Sequence, residues 1–140
     1  MTIIKFENRV TPERISHLGA NEIFVFGSNA RGLHYGGAAR AAHERFGAIM
    51  GQGHGLQGKS YAINSMSSFS EMEKDVKEFC EFAKANPQMH FLVTPIGCGI
   101  AGYSPIAVAP LFKDCKDLEN VSLPQSFWEV IGFPSEQKQN

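Results

Sequence analysis

Two apolar runs, Ile23-Phe24-Val25-Phe26 and His90 to Thr94, each run straight into a glycine-rich loop and then into a helical pattern. This repeated order constrains the fold more than any other feature of the chain. Ile23 to Phe26 is apolar at every position, as a strand covered on both faces requires, so it is expected in the middle of a sheet. Strands that alternate with helices favour an α/β fold with a mostly parallel sheet, whose ligand crevice lies at the carboxyl ends of the strands. Both glycine loops belong at such ends. The first is Gly27-Ser28-Asn29-Ala30-Arg31-Gly32-Leu33-His34-Tyr35-Gly36-Gly37; the second is Pro95-Ile96-Gly97-Cys98-Gly99-Ile100-Ala101-Gly102-Tyr103. Loops this bare expose backbone N–H groups, and glycine lets a ligand approach the main chain, so consecutive amides can converge on a phosphate.

The remaining elements follow from local patterns. Thr2 to Phe6 reads as a short edge strand. Thr11-Pro12-Glu13-Arg14 offers an N-cap followed by proline at the first helical position, which predicts a short helix to about Leu18. Gly36 to Phe46 reads as a closely packed helix rich in alanine, with Gly47 as its C-cap. Gly51 to Gly58 carries too many glycines for a regular element and reads as a mobile loop or lid beside a strand at Lys59 to Ile63. Ser70 and Glu73 form a capping box ahead of Phe69, Met72, Val76, Phe79 and Ala83, a helical repeat that ends at Asn86-Pro87. Ser104 to Lys113 reads as a helix and Asn120 to Leu123 as a last strand. Phe127, Trp128, Val130, Ile131 and Phe133 then pad the core. Residues 1–134 are expected to form one domain, with 135–140 as a polar tail.

Composition narrows the function. A chain of 140 residues with 43% hydrophobic content builds one core without help from metal or disulfides. A net charge of −1 supplies no broad basic field for a nucleic-acid backbone. Cys80, Cys98 and Cys115 are odd in number and lack CxxC spacing, which argues against a disulfide framework and for a reducing, cytoplasmic compartment. No run approaches the roughly 18 apolar residues of a membrane span, so no membrane partner is expected.

Among side chains, Asn29 follows a buried strand directly, where its amide can hold a sugar hydroxyl or orient a water. Its bland alternative is an asparagine that caps a turn. Gly36, Gly37 and Ala38 open a helix whose positive end suits an anion. His34 lies inside the first loop, whereas His34, His43 and His54 show no metal-ligand spacing, so no metal and no cofactor are expected. A nucleophilic Cys98 would need a base that the sequence does not identify. Lys59 and Arg31 could each meet a phosphate, although on a chain with 19% charged residues a solvated surface role is the more common one. Gly27-Ser28-Asn29-Ala30 lacks the second glycine of a nucleophile elbow, and the 51–58 glycines lack the strand-before, helix-after setting of a dinucleotide fingerprint.

The strand ending in Asn29, the run Tyr35-Gly36-Gly37-Ala38-Ala39 and the loop Gly97-Cys98-Gly99-Ile100-Ala101-Gly102-Tyr103 together resemble the macro domain that binds ADP-ribose. The likeness spans roughly Ile23 to Phe112. It looks most like the branch related to terminal ADP-ribose glycohydrolases, including short macro-like proteins of bacteria and their phages. The resemblance implies a three-layer α/β/α sandwich with a mixed, mostly parallel sheet. It implies that Asn29 meets the distal ribose, in a catalytic position, and that Gly36 and Gly37 line that ribose and the phosphates, with Ser28, His34 and Ala38 beside them. Gly97, Cys98, Gly99, Ile100, Ala101 and Gly102 would wrap the diphosphate, and Tyr103 would cover the distal ribose.

The chain also departs from that pattern. Glu7-Asn8 stands near the place of the Gly-Asp pair that reads adenine, Ala101 stands where the glycohydrolases have an acid, and Lys59 is the only lysine near the place of their nucleophile. Three readings follow: a hydrolase that frees ADP-ribose from a modified macromolecule through an ordered water, a sensor that binds ADP-ribose without turnover, and a different Rossmann-like binder of nucleoside monophosphates.

Overall fold

The computed structural model describes residues 9–133. The expected strand at Thr2 to Phe6 and the tail at 135–140 lie outside them. Five strands form one mixed, mostly parallel sheet in the order β2-β3-β1-β4-β5. They are β1 (Glu22–Ser28), β2 (Gly55–Gln57), β3 (Ser60–Asn64), β4 (His90–Val93) and β5 (Val121–Ser122). The helices are α1 (Gly37–Arg45), α2 (Phe69–Ala85), α3 (Pro105–Val108), a 3₁₀ helix (Ala109–Cys115) and α4 (Gln125–Ile131). Only β2 runs antiparallel, against β3.

β1 is central, as its apolar character predicts, and its side chains alternate between two cores. Ile23 and Val25 join Tyr61, Ile63, Phe91 and Val93 beneath α2, the 3₁₀ helix and α4. Phe24, Phe26 and Ala62 meet Ala39 and Ala42 of α1 on the other face. Period-two alternation in buried strands thus produces the α/β/α layering. Phe79 sits in the larger core at 0% exposure, edge-on to Tyr61 and Phe91 at 5.2 and 5.4 Å. Buried Arg9 closes one end of that core. Its guanidinium donates to the carbonyls of Val121, Lys116 and Cys115 and lies 5.0 Å from the Trp128 ring, whose Nε1 donates to the Arg9 carbonyl.

Several local expectations are corrected. Thr11 caps no helix: its N–H donates to the Leu123 carbonyl, and Val10 pairs with Leu123, so sheet pairing takes this segment and 11–18 stays irregular. Three of the eight residues of the glycine segment 51–58 form strand β2, with Gln57 buried and its side chain bonded to the main chain of Ile49, Gln52 and Gly55. The segment thus supplies one arm of an edge hairpin, against the expectation that it holds no regular element. The cap of α2 is Ser68, accepting from the Glu71 N–H at 3.0 Å, two residues before the expected Ser70. The expected helix from Ser104 tightens after Val108 into the 3₁₀ helix, because Pro110 has no N–H to continue the α ladder. Of the terminal aromatic cluster, Phe127 and Trp128 are buried, whereas Val130 and Phe133 are exposed. Cys80 and Cys115 form a disulfide between α2 and the end of the 3₁₀ helix, against the expectation of free thiols. The pairing removes the cysteine argument for a reducing compartment. No helix among the described residues is long and apolar enough to cross a membrane.

Candidate functional site

The chain leaves β1 through α1 to build β2 and β3 on one side, then crosses through α2 to β4 on the other. The carboxyl ends of β1 and β4 therefore flank the switch point where a parallel sheet opens a crevice. A cavity of about 410 Å³ lies there. Its floor comes from Gly27, Ser28, Thr94 and Ile96, one wall from Gly36 to Ala39 of α1, and the other from Gly97 and Gly99 to Ala101.

The two walls share one property, which is unspent backbone donors. α1 begins at Gly36 with no side-chain cap and no acid in its first turn. The N–H groups of Gly37, Ala38 and Ala39 find no acceptor among the described residues. Across the cavity, Gly97 takes φ +77°, and the loop closes through Tyr103 N–H to the Gly97 carbonyl at 2.9 Å and Gly102 N–H to the Gly99 carbonyl at 3.0 Å. That closure leaves the amides of Gly97, Gly99, Ile100 and Ala101 without acceptors among the described residues. A Cβ at Gly36, Gly37 or Gly99 would meet nothing within 4 Å, so these glycines border open space. No Asp, Glu, His, Cys, Lys or Arg is among the lining residues, and Tyr35, 70% exposed, stands at the mouth. An anion here would be held by main-chain donors and a helix dipole rather than by ionic side chains.

Of the residues singled out from the sequence, Ser28, Asn29, Gly36, Gly37, Ala38, Gly97, Gly99, Ile100 and Ala101 line this cavity; His34, Cys98, Gly102 and Tyr103 do not. Asn29 clamps its own loop. Its Oδ1 accepts from the Leu33 N–H and its Nδ2 donates to the Leu33 carbonyl, both at 2.9 Å. The turn-capping role is thus present, and one further donor and acceptor on the same amide remain at the cavity edge. His34 is 1% exposed and braces the loop from below. Its Nε2 sits 2.9 Å from the Ile49 carbonyl, which assigns the proton there and makes Nδ1 the acceptor for Ser28 Oγ at 3.2 Å. Cys98 is partly buried, its Sγ donates to the Ile96 carbonyl at 3.6 Å, and burial raises its pKa, so it is a poor nucleophile at neutral pH. Tyr103 turns away to stack edge-on with Phe69 at 5.4 Å. Lys59 donates to the carbonyls of Leu18 and Gly19, next to the start of β3 and away from the cavity. Arg31 is exposed and lines none of it.

Sequence reading missed Tyr35, Ser65, Met66 and Thr94, which also line the cavity. Thr94 lies next to the second glycine loop and Tyr35 inside the first, so both were findable from those positions. Ser65 and Met66 follow β3, where no glycine or proline marks a ligand loop.

The cavity continues into a second hollow of about 930 Å³ that shares Gly37, Ala38, Thr94 and Pro95 with it. That hollow runs between Phe24, Ala41 and the segment Val10 to Ile15, towards Gln125 and Glu129. A third hollow, at the amino ends of β1 and β4 beside Glu22 and His90, has no glycine loop. Comparison with known proteins finds no matching family model, curated protein or solved structure.

Proposed function

We propose that the chain binds ADP-ribose, or a related nucleotide derivative with a diphosphate, across the carboxyl ends of β1 and β4. One observation carries this reading. Two sets of unspent amides, from Gly37 to Ala39 and from Gly97 and Gly99 to Ala101, flank one cavity without an ionisable group except the Tyr35 phenol. A diphosphate between them would receive donors from both sides. Asn29 would use its remaining amide valences on the distal ribose. The adjoining hollow would take the nucleoside half, which suits a two-part ligand better than a monophosphate.

The hydrolytic form of the proposal starts from the same complex. A water adds to C1″ of the distal ribose, the bond from C1″ to the modified macromolecule breaks, and the leaving group takes up a proton. With no acid or base in the wall, the substrate phosphate assists the water, and the chain contributes position and electrostatics. The same lack of an acid or base favours binding without turnover as the second reading. A cytoplasmic site of action belongs to the proposal too; reduced Cys80 and Cys115 in cells would fit it, and the disulfide would speak against it.

Calorimetric titration with ADP-ribose tests the reading, with Gly99→Glu and Asn29→Ala alongside. Gly99 has an ordinary φ and open space before it, so the new carboxylate fills the cavity without straining the loop. Saturable binding lost in Gly99→Glu and weakened in Asn29→Ala is expected. Binding that survives Gly99→Glu, or a preference for AMP, overturns it. Incubation with an ADP-ribosylated protein then separates the two forms: released ADP-ribose identifies the hydrolase, and its absence identifies the sensor.

A further inference from the structure

A second group of functional side chains lies outside this cavity, on the other side of the first glycine loop. His54, in the approach to β2, stands beside Asp75 and Glu78 of α2, and their ligating atoms all lie within 4.8 Å of one another. We infer that these three residues form a binding site for a divalent transition-metal ion of the Zn²⁺ type. The inference is independent of what the glycine-lined cavity binds.

The chain brings the three together from two elements. Asp75 and Glu78 are three residues apart on a helix, which places them on one face. His54 is held over that face by the edge hairpin, where the Gln52 side chain donates to the His54 and Leu56 carbonyls at 3.1 Å. Asp75 is partly buried, and its Oδ2 accepts from the Asn64 N–H at 2.9 Å, which fixes the carboxylate. A backbone donor of this kind is the usual outer partner of a ligating carboxylate.

The electrostatics are unbalanced without an ion. The only ion pair among the described residues is Arg40 with Glu44, so neither carboxylate is paired with Lys74, although Lys74 and Glu71 share the hollow. His54 pairs with neither, and its ring has no hydrogen bond among the described residues. The three groups are too far apart to bond to one another, yet close enough to share an ion after small rotations of exposed side chains. The hollow they line, about 300 Å³, is open to water for the remaining coordination positions. One nitrogen with two oxygens selects first-row transition ions; Mg²⁺ and Ca²⁺ prefer all-oxygen sets. Spacing along the chain conceals this group, because the partners of His54 come from α2.

The site also touches the first glycine loop. Gly53, just before His54, packs so closely on the Asn29 carbonyl that a Cβ there would collide with it. Ala30 lines the metal hollow while Asn29 lines the cavity. A bound ion would therefore tie β2 to α2 and hold the outer side of that loop.

The test is calorimetric titration of the full, EDTA-stripped chain with ZnCl₂, in parallel with Co²⁺ titration followed by its visible absorption. One saturable site per chain is expected. His54→Ala and Glu78→Gln should each weaken it about tenfold or more, and His54→Ala should abolish the Co²⁺ band, while His17→Ala and Cys98→Ser keep the affinity of the parent. Melting curves without metal that match the parent show that the variants are folded. Absent Zn²⁺ binding, binding unchanged in His54→Ala and Glu78→Gln, or Mg²⁺ binding as tight as Zn²⁺ and indifferent to His54→Ala, each overturns the inference.

Discussion

α1 and α2 cover opposite faces of the same sheet and treat their amino ends in opposite ways. α2 runs for 17 residues, buries Met72, Val76, Phe79, Cys80 and Ala83, and closes its first turn with Ser68 and an acidic Glu71. α1 runs for 9 residues, buries only Ala39 and Ala42, and starts at a bare glycine with no acid near it. Every helix leaves its first amides without internal partners. In α2 the chain supplies one itself; in α1 it leaves them free beside a cavity. The contrast separates the helix that stabilises the fold from the helix that presents donors.

The largest difference between the two helices lies in the core. Phe79→Ala should cost about 3–5 kcal/mol, against about 1 kcal/mol for Ala42→Gly in α1, as read by urea unfolding. Equal losses would mean that α1 carries as much of the fold as α2. Next comes the cross-link at Cys80, which α1 has no counterpart for. Removing it by reduction or by Cys80→Ala with Cys115→Ala should lower stability by about 2–4 kcal/mol, with a matching fall in melting temperature.

The two caps differ on a smaller energy scale. Ser68→Ala should cost about 1 kcal/mol, whereas Gly36→Ser should gain a few tenths of a kcal/mol and weaken ADP-ribose binding, since the new hydroxyl occupies an α1 amide. Calorimetry and melting curves on the same samples check both; tighter binding by Gly36→Ser would show that the ligand does not use those donors.

The smallest effect lies away from both helices. Burial lowers the pKa of His90 against the pull of Glu22, so the native state takes up its proton later than the unfolded chain does. Its contribution to stability is present above the ordinary histidine pKa of about 6.5 and is lost as pH falls through the lower native value. His90→Gln should flatten that acid-side loss in unfolding curves measured between pH 7 and 5.

What the sequence made legible follows the reach of each signal. Strands β1 and β4 were readable because burial on both faces leaves an apolar run, β3 because Lys59 to Ile63 alternates, and the two loops after β1 and β4 because their glycines are consecutive with those runs. Signals tied to one local pattern were less secure. Ser68-Phe69-Ser70-Glu71-Met72-Glu73 contains two overlapping capping boxes, and Phe69, packed on Tyr103, belongs inside the helix, so the earlier box is used. Thr11-Pro12 carries a good helix start, but a hydrogen bond to Leu123 outweighs it. The disulfide joins cysteines 35 residues apart, a separation with no sequence signature. Within the cavity, glycine positions were visible in advance, whereas Ser65 and Met66 arrive through the β1–β3 register, a tertiary fact.

The unspent amides have a consequence for how such a site tolerates change. Nearly every residue type carries the same main-chain N–H, so a cavity walled by these donors depends on the path of the backbone more than on the identity of its side chains. Substitutions that preserve that path keep the donors; size restricts Gly36 and Gly99, which face the open space, and conformation restricts Gly37 and Gly97, at φ +58° and +77°. A site of this kind can retain its donors while its lettering changes.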